Sequence, residues 1–254
     1  MSIEYADQLD SFIARFTDIL QSNNTSVLLS IIQSNPTTSC AEALAVAIID
    51  RAQSHPQAVD SLVLPLRALF DSVERKSVLV HDYDAGSEAV TFHYVLTLHL
   101  AEFIKDALHE TALHTPKHTK ITPSNPTLAI ALFSASAIKN GLLTNTSAPY
   151  NFTRQGLQLR DSSFDAEGEV ERQEVVAIGA CVHLRIAGDI MKDKLLFQGE
   201  NLLHALQALQ TKNVISYPPG IALLEDTITD AEGGFSGDGE SSADVWKKLF
   251  PDHS

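Results

Sequence analysis

The chain has 254 residues, 44% of them hydrophobic, enough to bury a core without disulfides or metal. It carries 32 acidic residues against 18 basic ones, a net charge of −14, and its bases form no run longer than a pair such as Lys247-Lys248. Nucleic-acid binders gather Lys and Arg into a footprint because phosphate contacts supply most of their affinity, so direct tight RNA or DNA binding is disfavoured and protein partners are favoured. Nowhere do roughly 18 uncharged apolar residues occur together, so no membrane-spanning helix is expected. Residues 1–10 hold acids and no basic apolar run, unlike a signal peptide. Cys40 and Cys181 stand far apart and read as reduced thiols of a cytoplasmic or nuclear protein.

Along the chain, Leu9, Phe12, Ile13, Phe16, Ile19 and Leu20 fall on one face of a helix. Asn23-Asn24-Thr25-Ser26 ends it and caps a short helix over 27–32, closed by Pro36. An alanine-rich helix over 41–54 stops at His55-Pro56. Residues 57–72 follow with Val59, Leu62, Val63, Leu66, Leu69 and Phe70 inward, and Pro65 predicts a kink or break there. The longest helix is expected over 88–113, through Phe92, Leu96, Phe103 and Ala107. Residues 115–126, with three prolines, read as a loop, and 128–143 as a helix burying Leu132, Ala135, Ile138 and Leu142. A short helix over 149–161 and a polar turn over 162–169 precede helices over 171–191 and 200–211. Only 77–80 hints at a strand, too little for a sheet. About nine helices on short loops predict antiparallel neighbours, the pattern of degenerate helical repeats of about 40 residues.

After Pro218-Pro219-Gly220 the composition changes. Residues 225–244 hold seven acids and no base, with several glycines and serines, and predict a disordered acidic tail. The tail tip places Trp246, Leu249 and Phe250 at i, i+3 and i+4, on one side of a helical turn. Such aromatics either fold back onto the chain's own helices or form a linear motif for a partner, and the three are the candidate partner-binding residues.

Catalytic and metal chemistry find little support. His109 and His114 are five apart on a helix, whereas two histidines of one helix bind zinc at i, i+4. At about 100° per residue the two diverge by about 140°, even with His118 in the next loop as a third ligand. Exposed histidines at a helix end are the expectation, and His93 and His99 read as a surface and an interhelical histidine. No Gly-x-Ser-x-Gly elbow occurs, and Cys181 sits between apolar neighbours. Gly233-Gly234-Phe235-Ser236-Gly237 lies among acids that repel phosphate. Asp50, Asp106 and Asp189 read as solvated or capping carboxylates. No enzyme, cofactor or metal is expected.

Four stretches in order carry a resemblance. Residues 48–56 (IIDRAQSHP) set an aliphatic pair, an acid, a base and an alanine before a final proline. Phe92, Leu96, Phe103 and Asp106 share one helical spacing, 133–144 reads FSASAIKNGLLT, and Cys181-Val182-His183-Leu184 is followed by Gly188. These resemble the middle domain of eukaryotic initiation factor 4G, a HEAT-like helical repeat domain. The resemblance implies a scaffold in translation or messenger-RNA metabolism that docks a DEAD-box RNA helicase or another translation factor. It departs from the family in lacking the basic surface for RNA, so RNA contact is expected to be weak or indirect. It also lacks the Tyr-x-x-x-x-Leu motif that docks the cap-binding protein, since Asp10 lies five residues after Tyr5.

The expected molecule is therefore all-α: stacked antiparallel helix pairs of a HEAT-like α-solenoid over 1–217, then an acidic flexible tail over 218–254. Its expected role is a non-catalytic scaffold or adaptor. The alternative is an unrelated all-helical interaction domain with no translation role.

Overall fold

The computed structural model describes residues 3–22, 24–82, 90–114, 121–143, 146–159, 170–196 and 200–253. The described residues form eleven α-helices: α1 Ile3–Gln21, α2 Thr25–Ser34, α3 Thr38–Ser54, α4 Val59–Arg75, α5 Phe92–His114, α6 Pro126–Lys139, α7 Ser147–Gly156, α8 Val170–Leu195, α9 Leu202–Thr211, α10 Pro218–Glu232 and α11 Ser242–Leu249. A 3-10 turn, Pro56–Ala58, joins α3 to α4. Local chemistry sets several of the starts. Asn24, Thr37, Asn125, Asn201 and Ser241 each accept a backbone N–H from three residues on with their side chains, satisfying a donor that the first turn leaves open. Pro126, expected in a loop, instead opens α6 at a position whose missing N–H has no helical partner anyway.

The helices pack in two rows. α1, α3, α5 and α7 touch in succession, as do α2, α4, α6, α8 and α10, with α9 on α10. α6 links the rows. Every residue from Thr127 to Ile138 is buried, and the helix packs on α3, α4, α5, α7, α8 and α11. A helix apolar all round has no face to offer water, so it lies at the centre. α7 and α8 cross closely because glycines oppose bulk in both directions. A Cβ on Gly156 would lie 2.5 Å from the Val176 carbonyl oxygen, and one on Gly179 would lie 2.6 Å from the Phe152 ring.

Three sequence expectations need correction. α4 runs through Pro65 without a break, because burial of Val59, Leu62, Val63, Leu66, Leu69, Phe70 and Val73 on one face outweighs the proline's cost of about 3 kcal/mol. The longest helix is not α5, with 23 residues, but α8, with 26, which is kinked where Ala187 has non-helical torsions of φ −128° and ψ 22°. As expected, the segment 77–80 makes no sheet and contributes an isolated antiparallel bridge, Leu79 to Thr91.

The third correction concerns the acidic tail. Residues 218–253 are not a disordered tail but fold as α10, a loop and α11, with Leu223, Leu224, Phe235, Val245, Trp246, Leu249 and Phe250 buried. The expectation failed because it weighed the segment's own acids, glycines and serines without their distant partners. The neutralising bases lie outside the acidic stretch 225–244: Arg185 of α8 pairs with Asp230 and Glu240, and Lys248 of α11 lies 2.5 Å from Asp226 and 2.8 Å from Glu240. Lys139 donates to the carbonyls of Gly239 and Glu240 at 3.1 Å each, and Lys192 donates to that of Gly234 at 2.6 Å. The polar turn over 162–169 lies outside the described residues.

Gly156→Ala is expected to lower unfolding free energy by about 1–3 kcal/mol through overpacking. Gly237→Ala, with nothing within 4 Å of its added Cβ, should stay within about 0.5 kcal/mol of wild type. Urea unfolding of both variants measures the contrast.

Candidate functional site

Trp246, Leu249 and Phe250 do come together, as the helical spacing requires, but on a face turned inward. Their exposures are 3%, 0% and 3%, which rules out a free aromatic motif in this state. The Trp246 and Phe250 ring centroids lie 4.6 Å apart, with Tyr217 beyond Phe250 at 6.3 Å. α11 rests on the Pro56–Ala58 turn and on α4, α6, α8 and α10.

Polar groups hold α11 at both ends. One Asp60 oxygen accepts the Ser242 and Ala243 backbone N–H groups, at 2.9 and 3.3 Å, while the other accepts the Ser136 hydroxyl at 2.7 Å. A carboxylate at a helix N-terminus meets both the open donors and the positive end of the dipole. At the far end the Tyr217 hydroxyl donates to the Leu249 carbonyl at 2.6 Å. Just ahead of α11, Glu240 pairs with Arg185 through its carboxylate and donates its backbone N–H to the Arg185 carbonyl at 2.8 Å. Arg185 also donates to the Asp226 carbonyl at 2.9 Å, and it is only 7% exposed. Its burial is tolerated because two carboxylates compensate the charge.

Sequence reasoning missed both Asp60 and Arg185. Arg185 left a signal, as the one Lys or Arg within the largely apolar run from Ala177 to Ala187, where an unpaired charge would be costly. Asp60 left none, since an acid in the first turn of a helix is ordinary.

A second polar cluster lies in the core. His183 is fully buried, with Nε2 2.8 Å from the Ser134 hydroxyl and Nδ1 2.7 Å from the Thr153 hydroxyl, and Phe152 edge-on to its ring. Burial pushes its pKa down to about 3, so the ring is neutral at ordinary pH. A neutral imidazole has one N–H and one lone pair, so one hydroxyl accepts from the ring and the other donates to it. Ser134 and His183 are the atoms of a nucleophile and base, but both are 0% exposed and serve to tie α6, α8 and α7 together. The thiols are equally enclosed. Burial raises both Cys40 and Cys181 to about 12, leaving them protonated and unreactive at neutral pH.

The remaining candidates are dispersed. His93 is half-buried edge-on to Phe70, and His99 is half-buried and stacked on Phe103. The side chains of His109 and His114, and all of His118, lie outside the described residues. No group of three His, Cys, Asp or Glu side chains that could hold a metal occurs among the described residues. Asp50 and Asp189 are exposed and Asp106 is half-buried. An open groove of about 390 Å³ runs between α5 and α7, lined by Leu98, Ala101, Ile104 and Pro149 with Glu102 and Lys105. No helix of the described chain is long and apolar enough to cross a membrane.

No protein-family model matches the chain, and no curated protein matches it.

The depressed pKa of His183 makes a pH prediction. Above about pH 6.5 the ring is neutral in folded and unfolded chains alike, so it adds no pH dependence. Below that the unfolded chain takes up a proton that the folded one refuses until about pH 3, so stability falls across this window. Between pH 6 and pH 4 the wild type should lose about 1.4 kcal/mol per pH unit more than His183→Asn, as read by urea unfolding at each pH.

Proposed function

We propose that the protein is a non-catalytic scaffold or adaptor that holds protein partners in translation or messenger-RNA metabolism, in the cytoplasm or nucleus. The observation that carries this reading is the two-row succession of helices, α1–α3–α5–α7 beside α2–α4–α6–α8–α10. That order is what a HEAT-like α-solenoid predicts, each helix pair stacking on its sequence neighbours and leaving extended faces for partners. It accords with the ordered resemblance to the middle domain of initiation factor 4G. The enclosure of Ser134, His183 and both cysteines supports a binding role over a catalytic one.

The partner class this supports is a DEAD-box RNA helicase or another translation factor. Charge argues against RNA as the primary ligand, because the net charge is −14 and Lys248 of the Lys247-Lys248 pair is engaged by Asp226 and Glu240. A second reading, an unrelated helical interaction domain, is favoured by one observation: most matched residues, among them Phe92, Leu96, Phe133 and Cys181, are buried packing positions that any helical stack needs.

Affinity purification of the full chain after nuclease treatment, followed by mass spectrometry, tests the proposal. A helicase or another translation factor should be retained without RNA. Recovery of protein partners none of which serves translation or messenger-RNA metabolism would favour the second reading, and recovery of no partner would sink both.

A further inference from the structure

Asn140-Gly141 is the one Asn-Gly pair in the sequence. Asparagine before glycine is open to a spontaneous main-chain reaction, because no side chain hinders attack of the glycine nitrogen on the asparagine amide carbon. The pair sits where three segments meet. Arg67 of α4 donates to the Gly141 carbonyl, and Lys139 of α6 donates to the Gly239 and Glu240 carbonyls ahead of α11 at 3.1 Å each. Asn140 is half-buried and Gly141 exposed, so water reaches the turn.

The closed fold holds the two reacting groups apart. Gly141 lies in the left-handed region at φ +65°, its N–H donating to the Ile138 carbonyl at 3.0 Å, while the Leu142 N–H donates to the Ala137 carbonyl at 2.8 Å. This pairing satisfies the open carbonyls at the end of α6. Glycine takes that φ without strain, so the residue that ends the helix is also the one that permits the reaction. At Asn140 ψ is 6°, which turns the Gly141 nitrogen toward the Asn140 nitrogen and away from the side chain. The side-chain amide is held elsewhere: Nδ2 donates to the Ser136 carbonyl at 2.8 Å and to the Ser136 hydroxyl oxygen at 3.4 Å. Ring closure requires all of these ties to open together.

The product does not fit the closed turn. Asn140 supplies donors to Ser136, whereas a carboxylate there would supply only acceptors. The Ser136 hydroxyl is committed to Asp60 at 2.7 Å, so the new charge would stand one hydroxyl away from the carboxylate that caps α11. Like charges so placed repel. An isoaspartyl product also adds a methylene to the main chain between Asn140 and Gly141, which shifts the N–H groups of Gly141 and Leu142 off their carbonyls.

We propose that Asn140-Gly141 is a fold-guarded deamidation site, protected while the end of α6 is closed, reactive when it opens, and unable to close as before once converted. In the open turn the Gly141 nitrogen gives its proton to water and bonds to Asn140 Cγ. The Cγ–Nδ2 bond breaks, and Nδ2 takes up a proton and leaves as ammonia. Water then cleaves either C–N bond of the five-membered ring, leaving aspartate or isoaspartate. The junction of α4, α6 and the segment before α11 thereby gains an irreversible mark, in proportion to the time it spends open.

Ageing the full wild-type chain in native buffer and in urea, with peptide mapping of residue 140, is the first test. The unfolded chain should convert at least about tenfold faster, since the native turn opens only locally and seldom. Equal rates in the two states, or no conversion in either, would overturn the proposal. The effect of the product is read by native-state hydrogen exchange at Gly141 and Leu142. Exchange in Asn140→Asp should be at least about tenfold faster than in wild type, the scale of one lost charged-group hydrogen bond. Asn140→Ala, which removes the donor without adding charge, should show a smaller increase, and the Asp–Ala difference should shrink in an Asp60→Asn background. Wild-type exchange rates in Asn140→Asp would overturn the claim that conversion opens the turn. An Asp–Ala difference unchanged by Asp60→Asn would overturn the role of Asp60. If Asn140→Asp does not fold, the same exchange is read on aged wild type, with converted and unconverted molecules separated by ion exchange.

Discussion

Two serines of α6, Ser134 and Ser136, sit two positions apart in a stretch buried from Thr127 to Ile138, where an unpartnered hydroxyl is costly. Ser134 meets His183 of α8, whose other nitrogen meets Thr153 of α7. Ser136 donates to Asp60 of α4, whose second oxygen caps α11. The first chain ties the α6–α8–α7 side of the molecule and the second ties α4 to the final helix. Shape acts in the same direction, since the small residues of α6 let the surrounding helices approach its backbone.

The charge distribution follows a comparable logic. A surplus of 14 negative charges opposes compaction, and many of them lie after residue 218. Arg185 supplies the countercharge from within the core, and Lys139, Lys192 and Lys248 supply cationic donors around it. The acidic segment is thus a folded element whose neutralising partners lie on α6, α8 and α11. Arg185 also secures Glu240, the residue that leads into α11.

A binding role accords with a structure in which the polar chemistry of the core is spent on holding helices together. His183 is neutral and engaged on both nitrogens, and both thiols are protonated. The helices pack in two rows, and the short α11, which follows a glycine-containing loop, packs on α4, α6, α8 and α10. The initiation-factor resemblance and the two-row order support the same scaffold reading from different directions, one from residue types and the other from packing.

The elements themselves were largely legible in the sequence. Periodicity located α1, α5, α6 and α8, and the caps at Asn24, Thr37, Asn125 and Asn201 depend on side-chain chemistry within four residues. The grouping of Trp246, Leu249 and Phe250 is likewise a consequence of helical spacing. Their direction was not legible. Whether that face meets water or core depends on Asp60, which lies 182 positions before Ser242, and on Arg185. The same holds for Pro65, whose helix is kept intact by neighbours that packing supplies, and for the acids after residue 218. Local spacing determined which residues share a face, because that is a property of the helix alone. Tertiary structure decided what each face touches, because neutralisation and burial come from partners distant along the chain.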